Sequence, residues 1–129
     1  MSYLEESVRP WGKYQKFFHD EVIWLKRLEV YPQSRLSLQK HQYRFEKWII
    51  VQGQGVAIID GQQIPVAPGQ VVDIPLGALH RMCNFSDEIL VFIEVAYGAY
   101  LHEDDIIRLE DDYNRAPHED DKLLMSKGH

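Results

Sequence analysis

The chain has one cysteine, Cys83, in 129 residues, so an intrachain disulfide is excluded and a reducing compartment suffices. No apolar run approaches the roughly 18 residues that a membrane-spanning helix needs. The first twelve residues, MSYLEESVRPWG, are acidic and aromatic and lack the shape of a signal peptide. Basic residues are the minority, 14 Lys and Arg against 20 Asp and Glu, and they form no stripe. That argues against a nucleic-acid-binding surface. Repeats, low-complexity tracts and linkers are missing too, so nothing marks a second domain. These absences lead us to expect one cytoplasmic domain over residues 1–129, with no nucleic-acid or membrane partner. A net charge of -6 does not exclude an anionic small molecule, because a pocket can be locally positive on an acidic protein.

Apolar residues make up 45% of the chain, enough at this length for one core without cross-links. They fall into short β-type runs separated by Gly and Pro. Residues 1–12 read as an irregular arm, with Arg9-Pro10-Trp11-Gly12 as a turn. Val22–Leu25 and Leu28–Tyr31 read as strand segments, with Pro32 as a breaker. Leu36–His41, Lys47–Val51, Val56–Ile59, Ile64–Val66, Val71–Ile74 and His80–Cys83 follow. Asp60-Gly61, between two such runs, is a two-residue hairpin signal. Ile89–Val95 is apolar on both faces, so it is expected to be covered on both sides, with Glu94 as its one charge. The acidic segment after Gly98 reads as a short helix capped by Asp104 or as an extended return. About eight short strands without a long helix predict an all-β sandwich or barrel.

Two stretches carry the chemistry. In SLQKHQYRFEKWIIVQG, Gln39 and His41 are two apart and share a face of a strand, and Glu46 follows. In GQVVDIPLGALHRMCN, His80 and Asn84 follow Gly69, Pro75 and Gly77. Two imidazoles, a carboxylate and an amide oxygen converging from neighbouring strands would make an open site for one divalent metal. The expected ligands are Gln39, His41, Glu46 and His80.

The second stretch matches the second cupin motif, G-x5-P-x-G-x2-H-x3-N, in full. The first fits the first cupin motif, with Gln33 in place of its opening Gly and Gln39 in place of its first His. Over roughly residues 9–115 the chain resembles, more closely, the C-terminal cupin domain of type II phosphomannose isomerases. The segments that carry the resemblance are Arg9-Pro10-Trp11-Gly12, LSLQKHQYRFEKW, IPLGALHRMCN, IEVAYGAYLHEDDIIR and Asp111–Arg115. Tyr43 and Lys47 stand where that family's pattern has His, and Asn114 where it has Gly. The guanylyltransferase domain often fused to such cupins is missing from the sequence, so nucleotide chemistry is not implied.

The resemblance implies a single-domain cupin, a double-stranded β-helix or jelly-roll barrel, with its core over about 9–115 and a C-terminal tail over 116–129. It implies one divalent metal per chain, zinc first, although Mn, Fe, Co or Ni would accept the same ligands. The implied reaction interconverts mannose 6-phosphate and fructose 6-phosphate. Glu94 and Arg81 are the expected catalytic residues, and Arg44, Arg81 and Tyr43 the expected contacts to the sugar phosphate. Arg9 and Arg115 belong to the same signatures and are lesser candidates. A homodimer is expected, since cupins often pair sheet edges or faces. Two other functions fit the same residues: a sugar-phosphate-binding cupin without turnover, and another metal-dependent cupin enzyme such as a dioxygenase.

Overall fold

The computed structural model describes residues 3–112. The C-terminal tail and Arg115 lie outside the described residues. Twelve strands run in chain order: β1 Glu5–Arg9, β2 Gly12–His19, β3 Ile23–Val30, β4 Ser34–Arg35, β5 Leu38–Lys40, β6 Arg44–Gln52, β7 Gly55–Ile59, β8 Gln62–Val66, β9 Val71–Ile74, β10 His80–Asn84, β11 Leu90–Gly98 and β12 Ile107–Glu110. Among the described residues there is no helix.

The strands form two antiparallel sheets. The larger has the order β1-β2-β3-β11-β6-β9; the smaller has the order β12-β5-β10-β7-β8, with β4 pairing β10. Their facing surfaces close around a core of Trp48, Ile50, Phe92, Leu90, Met82 and Val30, all nearly or fully buried. A smaller cluster, Trp24, Ala96 and Leu101, sits under the loop between β11 and β12. Trp48 lies 5.2 Å from the Phe92 ring and 5.6 Å from the His80 ring, so apolar core and polar site share a wall.

Strand alternation explains which residues reach the interior. In β6 the buried positions are Arg44, Glu46, Trp48 and Ile50, while Lys47 points outward to Asp73 at 2.6 Å. In β3 they are Trp24, Lys26, Leu28 and Val30, and in β2 Gly12, Tyr14 and Lys16. The hairpin at Asp60-Gly61 is present, with both residues at positive φ (48° and 81°), as a type I′ turn requires. Gly12 has a different duty: a Cβ there would collide with the Glu29 carbonyl oxygen on β3.

Two expectations change, and one open alternative is resolved. The N-terminal arm is not irregular, because β1 pairs with β2 around the Pro10-Trp11 turn. The two segments between Val22 and Tyr31 are one strand, β3, running through Lys26-Arg27. The segment after Gly98 returns extended and adds β12 to the edge of the smaller sheet beside β5. β11 lies between β3 and β6 at the centre of the larger sheet; its inward face is buried, but on the other face Ile93 and Val95 are half-buried and Tyr97 is exposed, so the strand is covered on both sides only in part.

Candidate metal centre and the adjoining cavity

His41, Glu46 and His80 come together in the barrel interior, with one candidate ligand atom from each lying within 4.8 Å of the others. All three are buried. His41 follows β5, Glu46 sits on β6 of the opposite sheet, and His80 opens β10. The His41 Nδ1–H donates to the Asp105 carbonyl at 2.6 Å, and the His80 Nδ1–H to the Ala78 carbonyl at 3.0 Å. A carbonyl only accepts, so each ring is fixed with Nδ1 as the donor. The Nε2 lone pairs therefore face the carboxylate, 3.0 Å from Glu46 Oε2 for His41 and 3.9 Å from Oε1 for His80.

Acceptor atoms this close need a cation to hold them. Arg44 supplies one, donating Nε–H to Glu46 Oε2 at 2.9 Å and Nη2–H to His41 Nε2 at 3.0 Å. Trp48 donates its indole N–H to the other Glu46 oxygen at 2.9 Å. Burial alone would raise the Glu46 pKa, but the Arg44 guanidinium outweighs it and holds the carboxyl well below its ordinary range. Burial pushes His80 down to about 4, so that imidazole is neutral at physiological pH. Two oriented imidazoles and an ionised carboxylate suit a divalent transition metal. Gln39 lies directly across from His80 in the β5–β10 register, so the two side chains leave on the same face. Its amide N–H donates to Ser37 Oγ at 3.1 Å, which leaves Oε1 as the accepting end.

A cavity of about 330 Å³ adjoins the cluster. Arg44, Gln39 and Glu94 are in its wall, with Trp11, Tyr14, Leu28, Leu36 and Ser37. Four cations line it, Arg9, Lys26, Arg44 and Arg108, against three carboxyls, Glu94, Glu103 and Asp104. Glu94 sits on β11 between Lys26 on β3 and Trp48 on β6. The Trp24 indole N–H fixes its Oε2 at 2.8 Å. Burial first, and the Glu46 charge second, push its pKa up to about 7.

Lys16, Lys26, Trp24, Glu103 and Asp105 were not singled out in the sequence. Lys26 lies over the faces of Trp24 at 4.1 Å and Tyr14 at 4.2 Å, and Lys16 over Trp24 at 4.8 Å. Both ammonium groups pair with Glu103, at 2.7 Å from Lys26 and 3.0 Å from Lys16. These cations hold Glu103 down to about 2, against the upward push of its burial. Asp105 accepts the backbone N–H groups of Gln42 and Tyr43 at 2.8 and 3.0 Å, while its carbonyl orients His41. The acidic segment before β12 is thus the strap that arranges the site. Its run of carboxylates was the available signal.

Arg81 and Tyr43 are not brought to this cavity. Arg81 follows His80 on β10 and leaves from the other face, where it donates to the Leu36 carbonyl at 2.9 Å and to Glu110 at 3.0 Å. Tyr43 is 45% exposed, its ring edge-on to Tyr100 at 5.7 Å. Asn84, the last residue of the second motif, is fully buried but serves structure. Its amide donates to the Val30, Tyr31 and Glu88 carbonyls at 3.0, 3.2 and 2.7 Å, tying the turn after β10 to β3.

Two antiparallel sheets closed around an inward His–Glu–His cluster define a cupin. The Rhodospirillum rubrum protein Rru_A2000, described as a cupin-2 domain, superposes with a TM-score of 0.69 at 20% identity, over 95% of this chain and 81% of that one. Residues 2–111 match the family described as mannose-6-phosphate isomerase C-terminal, and the chain belongs to that family. It is 41% identical over 110 residues to the mannose-1-phosphate guanylyltransferase ManC of Salmonella typhimurium, and to the alginate biosynthesis protein AlgA of Pseudomonas aeruginosa. Each match covers 85% of this chain and 23% of the relative, so the chain spans about a quarter of those proteins.

Proposed function

We propose that the chain is a metal-dependent aldose–ketose isomerase interconverting mannose 6-phosphate and fructose 6-phosphate in polysaccharide-precursor metabolism. The observation that carries this is Glu94. It is a buried carboxyl in the wall of a cation-rich cavity, next to the candidate metal ligands, with its pKa pushed up to about 7. A base tuned near the working pH suits proton abstraction beside a carbonyl. The family membership and the biosynthetic relatives support the same reading.

A divalent metal held by His41, Glu46 and His80, with Gln39 beside them, would supply Lewis-acid polarisation of the sugar oxygens. The other work falls to the chain's own residues. Ionised Glu94 takes the proton from C2 of the open-chain aldose, and the electron pair left behind forms the C1–C2 double bond as the hydroxyl proton on O2 passes to the carbonyl oxygen O1. Glu94 then returns its proton to C1 as the O2 oxyanion closes to a carbonyl, and the ketose results. The Trp24 N–H keeps the carboxylate in one orientation throughout. Arg44, in the cavity wall, stabilises negative charge on the sugar oxygens. Trp11 and Leu36 exclude water from one side of the cavity.

The test is turnover of mannose 6-phosphate in deuterated water by the metal-loaded protein. Fructose 6-phosphate carrying deuterium at C1 is expected, because Glu94 exchanges its proton with solvent. Glu94→Gln is expected to retain metal and lose turnover. A second reading, a sugar-phosphate-binding cupin without turnover, draws on the Arg44 bonds to His41 and Glu46, which satisfy those ligands within the chain. Binding of the sugar phosphate with neither product nor exchange would establish that reading instead.

A further inference from the structure

We infer that the far end of the cavity is a phosphomonoester subsite built from Lys26, Arg9 and Arg108, and that it selects sugars phosphorylated at the terminus remote from the reacting carbons. The proposal deepens the sugar-phosphate reading above and rests on it for the identity of the sugar. None of these three residues is a metal-ligand candidate.

Charge is the first argument. Lys16 and Lys26 are both buried, at 4% and 5% exposure, and both pair with the same carboxylate, Glu103. Two ammonium groups on one carboxylate leave a surplus positive charge on two buried lysines. Lys26, unlike Lys16, also faces the cavity, and Arg9 and Arg108 face it with Lys26. A phosphate dianion complements such an excess, and guanidinium groups suit its oxygens through paired N–H donors.

Pre-organisation is the second argument. The Lys26 ammonium is wedged between the Tyr14 and Trp24 ring faces, at 4.2 and 4.1 Å, so it is held in place before a ligand arrives. The Arg9 guanidinium lies 5.7 Å from the centre of the same Tyr14 ring on its own side of the cavity. Both cations are thus steered by one aromatic wall.

Spacing is the third. Lys26 is on β3, Glu94 on β11 and Glu46 on β6, three adjacent strands of one sheet. Two strand spacings and a two-residue offset separate the Lys26 and Glu46 backbones by about 12 Å. An open-chain hexose phosphate, seven bonds from C1 to phosphorus, spans on the order of 8 Å when extended, at about 3.4 Å for every three bonds. A hexose with C1 and C2 beside Glu46 and Glu94 therefore brings a 6-phosphate to Lys26. A 1-phosphate would stay among the metal ligands and leave the Lys26 end unpaired.

The experiment compares binding of mannose 6-phosphate, mannose 1-phosphate, inorganic phosphate and mannose to the full chain by calorimetry. It uses wild type, Arg9→Gln, Arg108→Gln and Lys26→Met. Wild type is expected to prefer mannose 6-phosphate over mannose and over mannose 1-phosphate, each by tenfold or more. Each variant is expected to lose about ten- to hundredfold in mannose 6-phosphate affinity, as removal of a charge-assisted bond does, with mannose binding unchanged. Arg9 is exposed, so Arg9→Gln keeps the test valid even if Lys26→Met fails to fold. Mannose 6-phosphate affinity unchanged in both Arg9→Gln and Arg108→Gln would overturn the subsite, as would a wild type blind to the position of the phosphate. If wild type turns over nothing, yet the variants lose phosphate-dependent binding, the isomerase reading fails and the subsite stands. If turnover is found with KM unaltered in both arginine variants, the subsite fails and the isomerase reading stands.

Discussion

Arg44 and Glu46 form an ion pair of 2.9 Å inside the barrel, from successive inward positions of one strand. The same guanidinium reaches His41 Nε2, so Arg44 stands on two of the atoms that a metal would use. The arginine and the metal are therefore expected to compete. Arg44→Met, measured in chelator, should lose about 3 kcal/mol of stability, because Glu46 is left buried and unpaired. Saturating zinc should then stabilise the variant more than it stabilises wild type. Equal zinc-induced shifts in urea midpoint would show that the two cations do not share these atoms.

The ligand set itself is checked by elemental analysis. Wild type is expected to carry about one transition metal per chain, and the His41→Ala/His80→Ala double variant none. The same metal content in both proteins would move the site elsewhere.

Glu94 imposes a pH dependence of known sign. Its folded-state pKa is pushed up from 4.5 to about 7. The folded form thus holds the proton more tightly than the unfolded form, and the stability this contributes is full below pH 4.5 and lost as pH rises through about 7. At about 1.4 kcal/mol per unit the loss is about 3 kcal/mol. Glu94→Gln should flatten that decline in chelator-treated protein. In the loaded wild type, kcat/KM should climb through the same pH range as the base ionises. A stability profile unaffected by the substitution would mean that Glu94 titrates at its ordinary value.

Arg81 separates stability from binding. Its guanidinium serves the Leu36 carbonyl and Glu110 on the outward face of the smaller sheet. Arg81→Met should cost about 1–3 kcal/mol of stability while leaving mannose 6-phosphate affinity as in wild type. A tenfold weaker affinity in a folded variant would return Arg81 to the substrate.

Where apolar alternation was intact, the fold could be read in the chain. The Asp60-Gly61 hairpin follows from its turn residues, and the inward Glu46 with outward Lys47 from period-two patterning. β2 escaped, and β3 was read as two pieces, for a single reason. Their inward positions include Lys16 and Lys26, which break the apolar pattern that marks a buried face. Those lysines are tolerated there because the Trp24 and Tyr14 rings of the same strand pair cover them and Glu103, from the segment before β12, supplies a carboxylate. The His41–Glu46–His80 cluster was legible because spacing along two strands is a local property. The face taken by Arg81 was equally local, since it follows His80, but the motif drew attention to its charge rather than its direction. Gln33, where the first cupin motif has Gly, adopts φ 56° and donates to the Phe85 and Ser86 carbonyls at 2.8 and 3.0 Å. Those bonds offset a backbone strain of about 1 kcal/mol, a compensation the sequence could not display.

β11 bridges β3 and β6, which do not pair with each other. During synthesis, then, everything up to residue 89 emerges as two halves of a sheet with no strand to join them. Each half presents an unsatisfied edge to the cell. Glu94 rides on the strand that closes that gap. Chaperone dependence and aggregation during expression should concentrate in chains truncated before Gly98, and such chains should carry no partial activity.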